Sequence, residues 1–185
     1  RKIADAHGFI NANKPDSQDI CFVPDGDYAK VIKLQTGKDY PCGAFKNKKG
    51  EILGQHKGIL HYTIGQRKGL GIAYNEPLYV CQICPLENTV ILGKNRDLFS
   101  KEALIENFNW IAGAPPAQEF SCAAKIRYRQ QEQPAKVKVL DDKRIQITFE
   151  EPQRAVTPGQ AAVLYSGDVV LGGGEICTDT CQCGF

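Results

Sequence analysis

From about residue 100 onward the chain alternates short β-prone segments with turn residues, and this constrains its fold more than any other feature. Residues 103–110, 121–129, 135–140, 144–149, 161–165 and 169–176 each read as a strand, with Asp141-Asp142 and Ser166-Gly167-Asp168 as tight turns. Six short strands at such spacing, with few helices between them, predict a small closed barrel. Closure leaves no unpaired sheet edge.

The upstream part is mixed. Residues 1–12 read as a helix stopped by Gly8, and the opening RKIADAHGF resembles the end of a helix from something longer. A polar stretch leads to the apolar run Ile20-Cys21-Phe22-Val23, and Pro24-Asp25-Gly26 is a turn. Tyr28, Val31, Ile32 and Leu34 mark a short amphipathic helix closed by Gly37. Asn47-Lys48-Lys49-Gly50 and Pro85-Leu86-Glu87-Asn88 each join two β-prone segments as hairpin turns. Between the hairpins, residues 56–72 are glycine-rich, basic and weakly periodic, which predicts a loop with one helical turn. The expected class is mainly β with some α, divided at residues 1–27, 28–99 (a small α+β central domain), 100–178 (the barrel) and 179–185 (a Cys-rich tail).

A chain of 185 residues with 42% hydrophobic and 24% charged residues can bury a core, as one large domain or two small ones. No apolar run is long enough to cross a bilayer and no signal peptide is evident, so a cytoplasmic protein that does not bind membranes is expected. The net charge of +2 does not by itself point to nucleic acid, so local clustering carries that argument. Eight cysteines at uneven spacings do not form a secreted disulfide framework, and reduced thiols are expected.

Four segments carry candidate chemistry. Cys21 follows a polar, turn-forming segment, a setting for either a reactive thiol or a small packed side chain. Tyr62 to Gly71 mixes an aromatic, Arg67, Lys68 and three glycines. It reads as a loop able to follow a phosphate backbone or as an ordinary solvated turn. On a strand, Lys125, Arg127 and Arg129 share one face and Ile126 and Tyr128 the other, a cationic stripe without an acid that reads as a phosphate track or as a solvated sheet face. Residues 154–160 form a Pro-Gly loop that reads locally as a plain barrel turn, or as one in which Gln160 donates to and accepts from a base edge or ribose. His56 and His61 do not have the spacing of a helical metal pair and read as positioning or exposed residues. Cys81 and Cys84, with Cys177, Cys181 and Cys183, are a weaker zinc candidate, and a disulfide within the tail is a further reading.

Taken in order, Ser17-Gln18-Asp19-Ile20-Cys21-Phe22, Gly54-Gln55-His56-Lys57-Gly58, residues 62–71, residues 125–129, Thr157-Pro158-Gly159-Gln160 and Leu171-Gly172-Gly173-Gly174 resemble the tRNA-specific 2-thiouridylases, the MnmA family. The resemblance runs to about Ile176 and covers the C-terminal portion, without the ATP-binding domain and its SGGxDS loop. It implies a barrel like those of translation elongation factors, and a sulfurtransferase that makes 2-thiouridine at the wobble position of tRNA. It further implies an adenylated uridine and a persulfide on Cys21, whose disulfide partner lies in the missing domain. ATP and magnesium would be bound there, and no cofactor or metal is expected in this chain. Arg127 and Tyr128 match the family's tRNA-contacting pair and Gln160 a further contact. A persulfide relay protein is the implied sulfur donor, and the chain is expected to be a monomer, inactive alone. The resemblance assigns nothing to Cys81, Cys84, Cys181 and Cys183. A stand-alone RNA-binding barrel and a zinc-stabilised interaction domain are the alternative readings.

Overall fold

The computed structural model describes residues 1–10, 12–14, 23 and 28–177. The chain divides into two compact units, Arg1–Tyr40 and Pro41–Phe185. In the first, helix α1 spans only Lys2–Ala6, shorter than the helix expected over 1–12. It ends because Gly8 adopts a left-handed φ of 69°. The amides of Gly8 and Phe9 then reach back to the carbonyls of Asp5 and Ala4, which satisfies the last turn. Helix α2 spans Tyr28–Thr36, and Gly37 follows at φ 63°.

The second unit begins with a four-stranded sheet of β1 (Gly43–Asn47), β2 (Ile52–His56), β3 (Tyr79–Cys84) and β4 (Thr89–Gly93), in the order β2-β1-β4-β3. The turn of the first hairpin is built by Asn47, whose Oδ1 accepts from the amides of Lys49 and Glu51 at 2.9 and 3.0 Å. The two hairpins join through a parallel β1–β4 pair, in register Phe45 to Val90. Strand β4 is buried along its whole length, as a central strand covered on both faces must be.

His56 is not an exposed or site-facing group; it is 1% exposed in the core of this sheet. The Gly58 amide donates to its Nδ1 at 3.1 Å, and Nε2 stands 3.1 Å from the carbonyl oxygen of Asn88, so the proton sits on Nε2. Phe45, His56 and Tyr62 meet edge to face, with centroids 5.1 to 5.8 Å apart. His61 is exposed, in the single 3₁₀ turn Ile59–His61 of the connecting loop.

The remaining strands are β5 (Phe99–Trp110), β6 (Glu119–Lys125), β7 (Gln133–Val139), β8 (Ile145–Arg154), β9 (Ala161–Ser166) and β10 (Val169–Cys177). They close into the expected six-stranded barrel in the order β10-β5-β8-β7-β6-β9. Alternate residues fill it: Ala135, Val137 and Val139 from β7, Ile145, Ile147 and Phe149 from β8. The glycines of Leu171-Gly172-Gly173-Gly174 serve this closure. A β-carbon on Gly172 would collide with the carbonyl oxygen of Asn109 and lie 2.5 Å from Cε1 of Phe108, so β10 packs on β5 only without side chains there.

Strand β8 is longer than the sequence suggests. Pro152 marks an apparent end after Phe149, yet the strand bulges around it and resumes. Gln153 and Arg154 then pair with Ser100 and Phe99.

Candidate nucleic-acid interface

Strand β8 runs into Ala155, a buried residue with a left-handed φ of 51°. Such a conformation costs an alanine about 1–2 kcal/mol and persists only where its surroundings fix it. Here the Ala155 amide donates to the carbonyl oxygen of Leu98 at 2.6 Å. The Ala155 carbonyl oxygen accepts from Nη2 of Arg127 at 2.5 Å and from Oγ1 of Thr157 at 2.9 Å. On its other side lies Gly65, where a β-carbon would stand 3.4 Å from that of Ala155. The glycine-rich loop, the cationic segment and the loop after β8 therefore converge on one residue.

The cationic stripe expected on a strand face does not form. Strand β6 stops at Lys125, Ile126 is buried, and residues 127–130 make a turn closed by the Gln130 amide on the Arg127 carbonyl. The turn wins over the strand because both its ends are tied to the 153–155 segment. Arg127 bonds to Ala155, and Nε2 of Gln130 donates to Oε1 of Gln153 at 2.6 Å. Lys125, Arg127 and Arg129 thus do not share one face, and Ile126 and Tyr128 do not share the other. Tyr128 sits at the tip of the turn with 90% of its surface exposed, Arg129 is exposed beside it, and Lys125 is half-buried opposite Val163.

The loop of Arg67 and Lys68 is ordered by its own backbone. Gly65 donates to the Val80 carbonyl at 2.8 Å and Val80 to the Gln66 carbonyl at 2.9 Å, so the loop caps the outer edge of β3. The Gln66 side chain accepts from the Thr63 amide and donates to the Lys68 carbonyl, both at 3.0 Å. Arg67 and Lys68 are left exposed while Leu70 anchors the loop in the core. Gln160 is exposed at the end of the Pro-Gly turn. Its backbone is fixed by Ile176, whose amide donates to the Gln160 carbonyl at 2.8 Å.

Sequence reasoning missed Gln130, Gln153, Arg154 and Ala155, which organise this surface. Pro152 hid the return of β8 that brings the last three into place.

Cys21, Cys181 and Cys183 lie outside the described residues. Among those described, burial pushes the Cys81 and Cys122 thiols up to about 11, the carboxylate of Asp97 adding to the effect at Cys81. Both are therefore poor nucleophiles near neutral pH. Cys42, Cys81, Cys84, Cys122 and Cys177 form no disulfide with one another. Among the described residues no three His, Cys, Asp or Glu side chains come together as a metal site.

Comparison with known proteins places these elements in a family. Residues 31–94 match the tRNA methyl transferase PRC-barrel domain and residues 100–176 the Aminomethyltransferase beta-barrel domain. A tRNA-specific 2-thiouridylase MnmA of Clostridioides difficile strain 630 is 48% identical over 95% of this chain and 49% of its own length. The proteins of that name from Acetivibrio thermocellus and Carboxydothermus hydrogenoformans are 48% and 44% identical, over 91% and 95% of the chain and 47% and 48% of their own lengths. The chain spans about half the length of the curated relatives it matches. With two adjoining domain matches and near-complete coverage of the chain by these relatives, it belongs to the tRNA-specific 2-thiouridylase family.

Proposed function

We propose that this chain is the tRNA-binding part of a tRNA-uridine 2-sulfurtransferase. The observation that carries this reading is the convergence on Ala155 of the Arg67–Lys68 loop, the Arg127–Tyr128 turn and the loop leading to Gln160. Exposed cations suit phosphates, and an exposed tyrosine suits stacking on an unpaired base, as single-stranded RNA recognition requires.

In this reading Cys21 carries sulfur as a persulfide, loaded by a relay protein, and delivers its terminal sulfur to C2 of an adenylated wobble uridine. The oxygen leaves with AMP. The Cys21 sulfur–sulfur bond is then broken by a second cysteine elsewhere in the protein, and the two form a disulfide. The sequence has no GxxxxGK(S/T) phosphate loop, and among the described residues no three His, Cys, Asp or Glu side chains come together; in this reading ATP and magnesium are held by the other half of the protein. Acting on tRNA places the protein in the cytoplasm in this reading; among the described residues no helix is long and apolar enough to cross a membrane.

The test is Cys21→Ser in the protein together with its remaining half. A hydroxyl cannot carry a persulfide sulfur, so 2-thiouridine formation is lost while tRNA affinity stays near wild type. Retained thiolation overturns the role of Cys21. Absence of salt-dependent tRNA binding by this chain overturns the binding role.

A further inference from the structure

We propose that Arg154 is a positioning residue for RNA binding: it locks the glycine-rich loop of the four-stranded sheet to the tyrosine-bearing turn of the barrel without touching RNA itself. This rests on the proposed tRNA reading and names a residue that reading does not use. Arg154 is the last residue of β8, where alternation sends its side chain opposite to that of Gln153. Gln153 receives Gln130, and the Ala155 carbonyl receives Arg127, so the neighbours of Arg154 on either side hold the turn.

The Arg154 side chain reaches the other way. Its Nε donates to Oδ1 of Asn95 at 3.3 Å, and its guanidinium carbon lies 5.6 Å from the centroid of the Tyr79 ring on β3. Its Nη1 would stand 3.5 Å from a β-carbon on Gly65, whose φ of 86° and close approach both suit glycine. One residue therefore spans from the barrel to the base of the Arg67–Lys68 loop. A planar guanidinium is needed to lie over the ring while donating sideways to Asn95, and a lysine cannot do both. The consequence is that the loop and the turn meet RNA as a single preset surface, with less ordering to be done on binding.

The experiment measures two quantities on the 185-residue chain: amide hydrogen exchange without RNA, and tRNA affinity across a salt series. Arg154→Ala is expected to speed exchange at Gly65 and Gln66. It should also weaken tRNA binding by about tenfold, the size of an ordinary coupling between neighbouring residues, with the salt slope unchanged. Arg154→Lys should behave the same way despite keeping the charge. Tyr79→Leu, which removes the ring from the opposite side, should repeat the pattern and guards against a folding defect peculiar to position 154. Lys68→Ala is the contrast: unchanged exchange at Gly65 and a slope lower by about 1. An Arg154→Ala protein whose slope falls by about 1 with unchanged exchange makes Arg154 a phosphate contact and overturns the positioning role. Unchanged affinity also overturns it and leaves the tRNA reading standing. A wild-type chain without salt-dependent tRNA binding overturns both.

Discussion

The guanidinium of Arg127 donates 2.5 Å to the carbonyl oxygen of Ala155, and this bond converts the end of a β-strand into a turn. Arg127 thereby serves two ends at once in the proposed reading, its charge available to a phosphate while one of its donors is used internally. Replacing it with alanine should lower the salt slope of tRNA binding by about 1, the signature of a lost phosphate contact. It should also cost about 1 kcal/mol of folding stability, because the carbonyl of buried Ala155 loses its charge-assisted partner and keeps only Thr157. Arg127→Lys separates the two effects by restoring the slope without restoring the stability. Salt titration and denaturant unfolding of both variants check this.

Tyr128, 90% exposed, has no packing to lose. Tyr128→Ala should change stability by less than about 0.5 kcal/mol. If its ring stacks on a base, tRNA binding weakens by about 1–3 kcal/mol, and Tyr128→Phe retains most of the affinity. Equal affinity in wild type and Tyr128→Ala removes the tyrosine from the interface.

Gln160 is exposed and uncharged, so its removal should act differently. Gln160→Ala is expected to leave the salt slope unchanged while altering the preference among tRNAs. Competition binding with two tRNA species reads both quantities, and a uniform loss across species makes Gln160 a mere part of the turn.

Barrel closure rests on Gly172, where any side chain meets the Asn109 backbone. Backbone cannot swing aside as a side-chain tip can. Gly172→Ala should cost about 2–3 kcal/mol, a fall in Tm of roughly 4–12 °C for a protein of this size. Calorimetry measures it directly.

The buried thiols give a pH prediction. Folding raises Cys81 and Cys122 from 9.0 to about 11, so the folded chain holds these protons more tightly than the unfolded chain. Their contribution is fully present below pH 9 and is lost as pH rises towards 11. Denaturant midpoints should fall across that window and fall less in Cys122→Ala. Mass-spectrometric mapping of alkylation should find exposed Cys42 labelled well before Cys81 and Cys122 at neutral pH.

The barrel was legible because its six segments alternate core and solvent residues and are set apart by turns, a pattern local in sequence. The hairpin at Asn47 was legible for the same reason, the asparagine closing its own turn. What escaped were features decided by distant partners. The parallel pairing of β1 with β4 has no local signal. The run Lys125 to Arg129 has strand-like alternation but turns, because Arg127 and Gln130 find anchors on Ala155 and Gln153. His56 read as a positioning or exposed residue and proved to be a core residue, its ring nitrogens matched by Gly58 and Asn88. Of the candidate site, the segments around Arg67, Arg127 and Gln160 could be named from sequence, but their meeting at Ala155 could not.

The barrel closes by pairing β10 with β5, its last strand with its first. While the ribosome is still making the intervening strands, β5 has only β8 available as a partner, and its other edge stays open. The final seam can form only once Cys177 has left the exit tunnel, because β10 supplies it. During that interval the nascent chain presents a strand edge able to pair with another chain. The barrel is thus completed at a single step, the arrival of its own last strand.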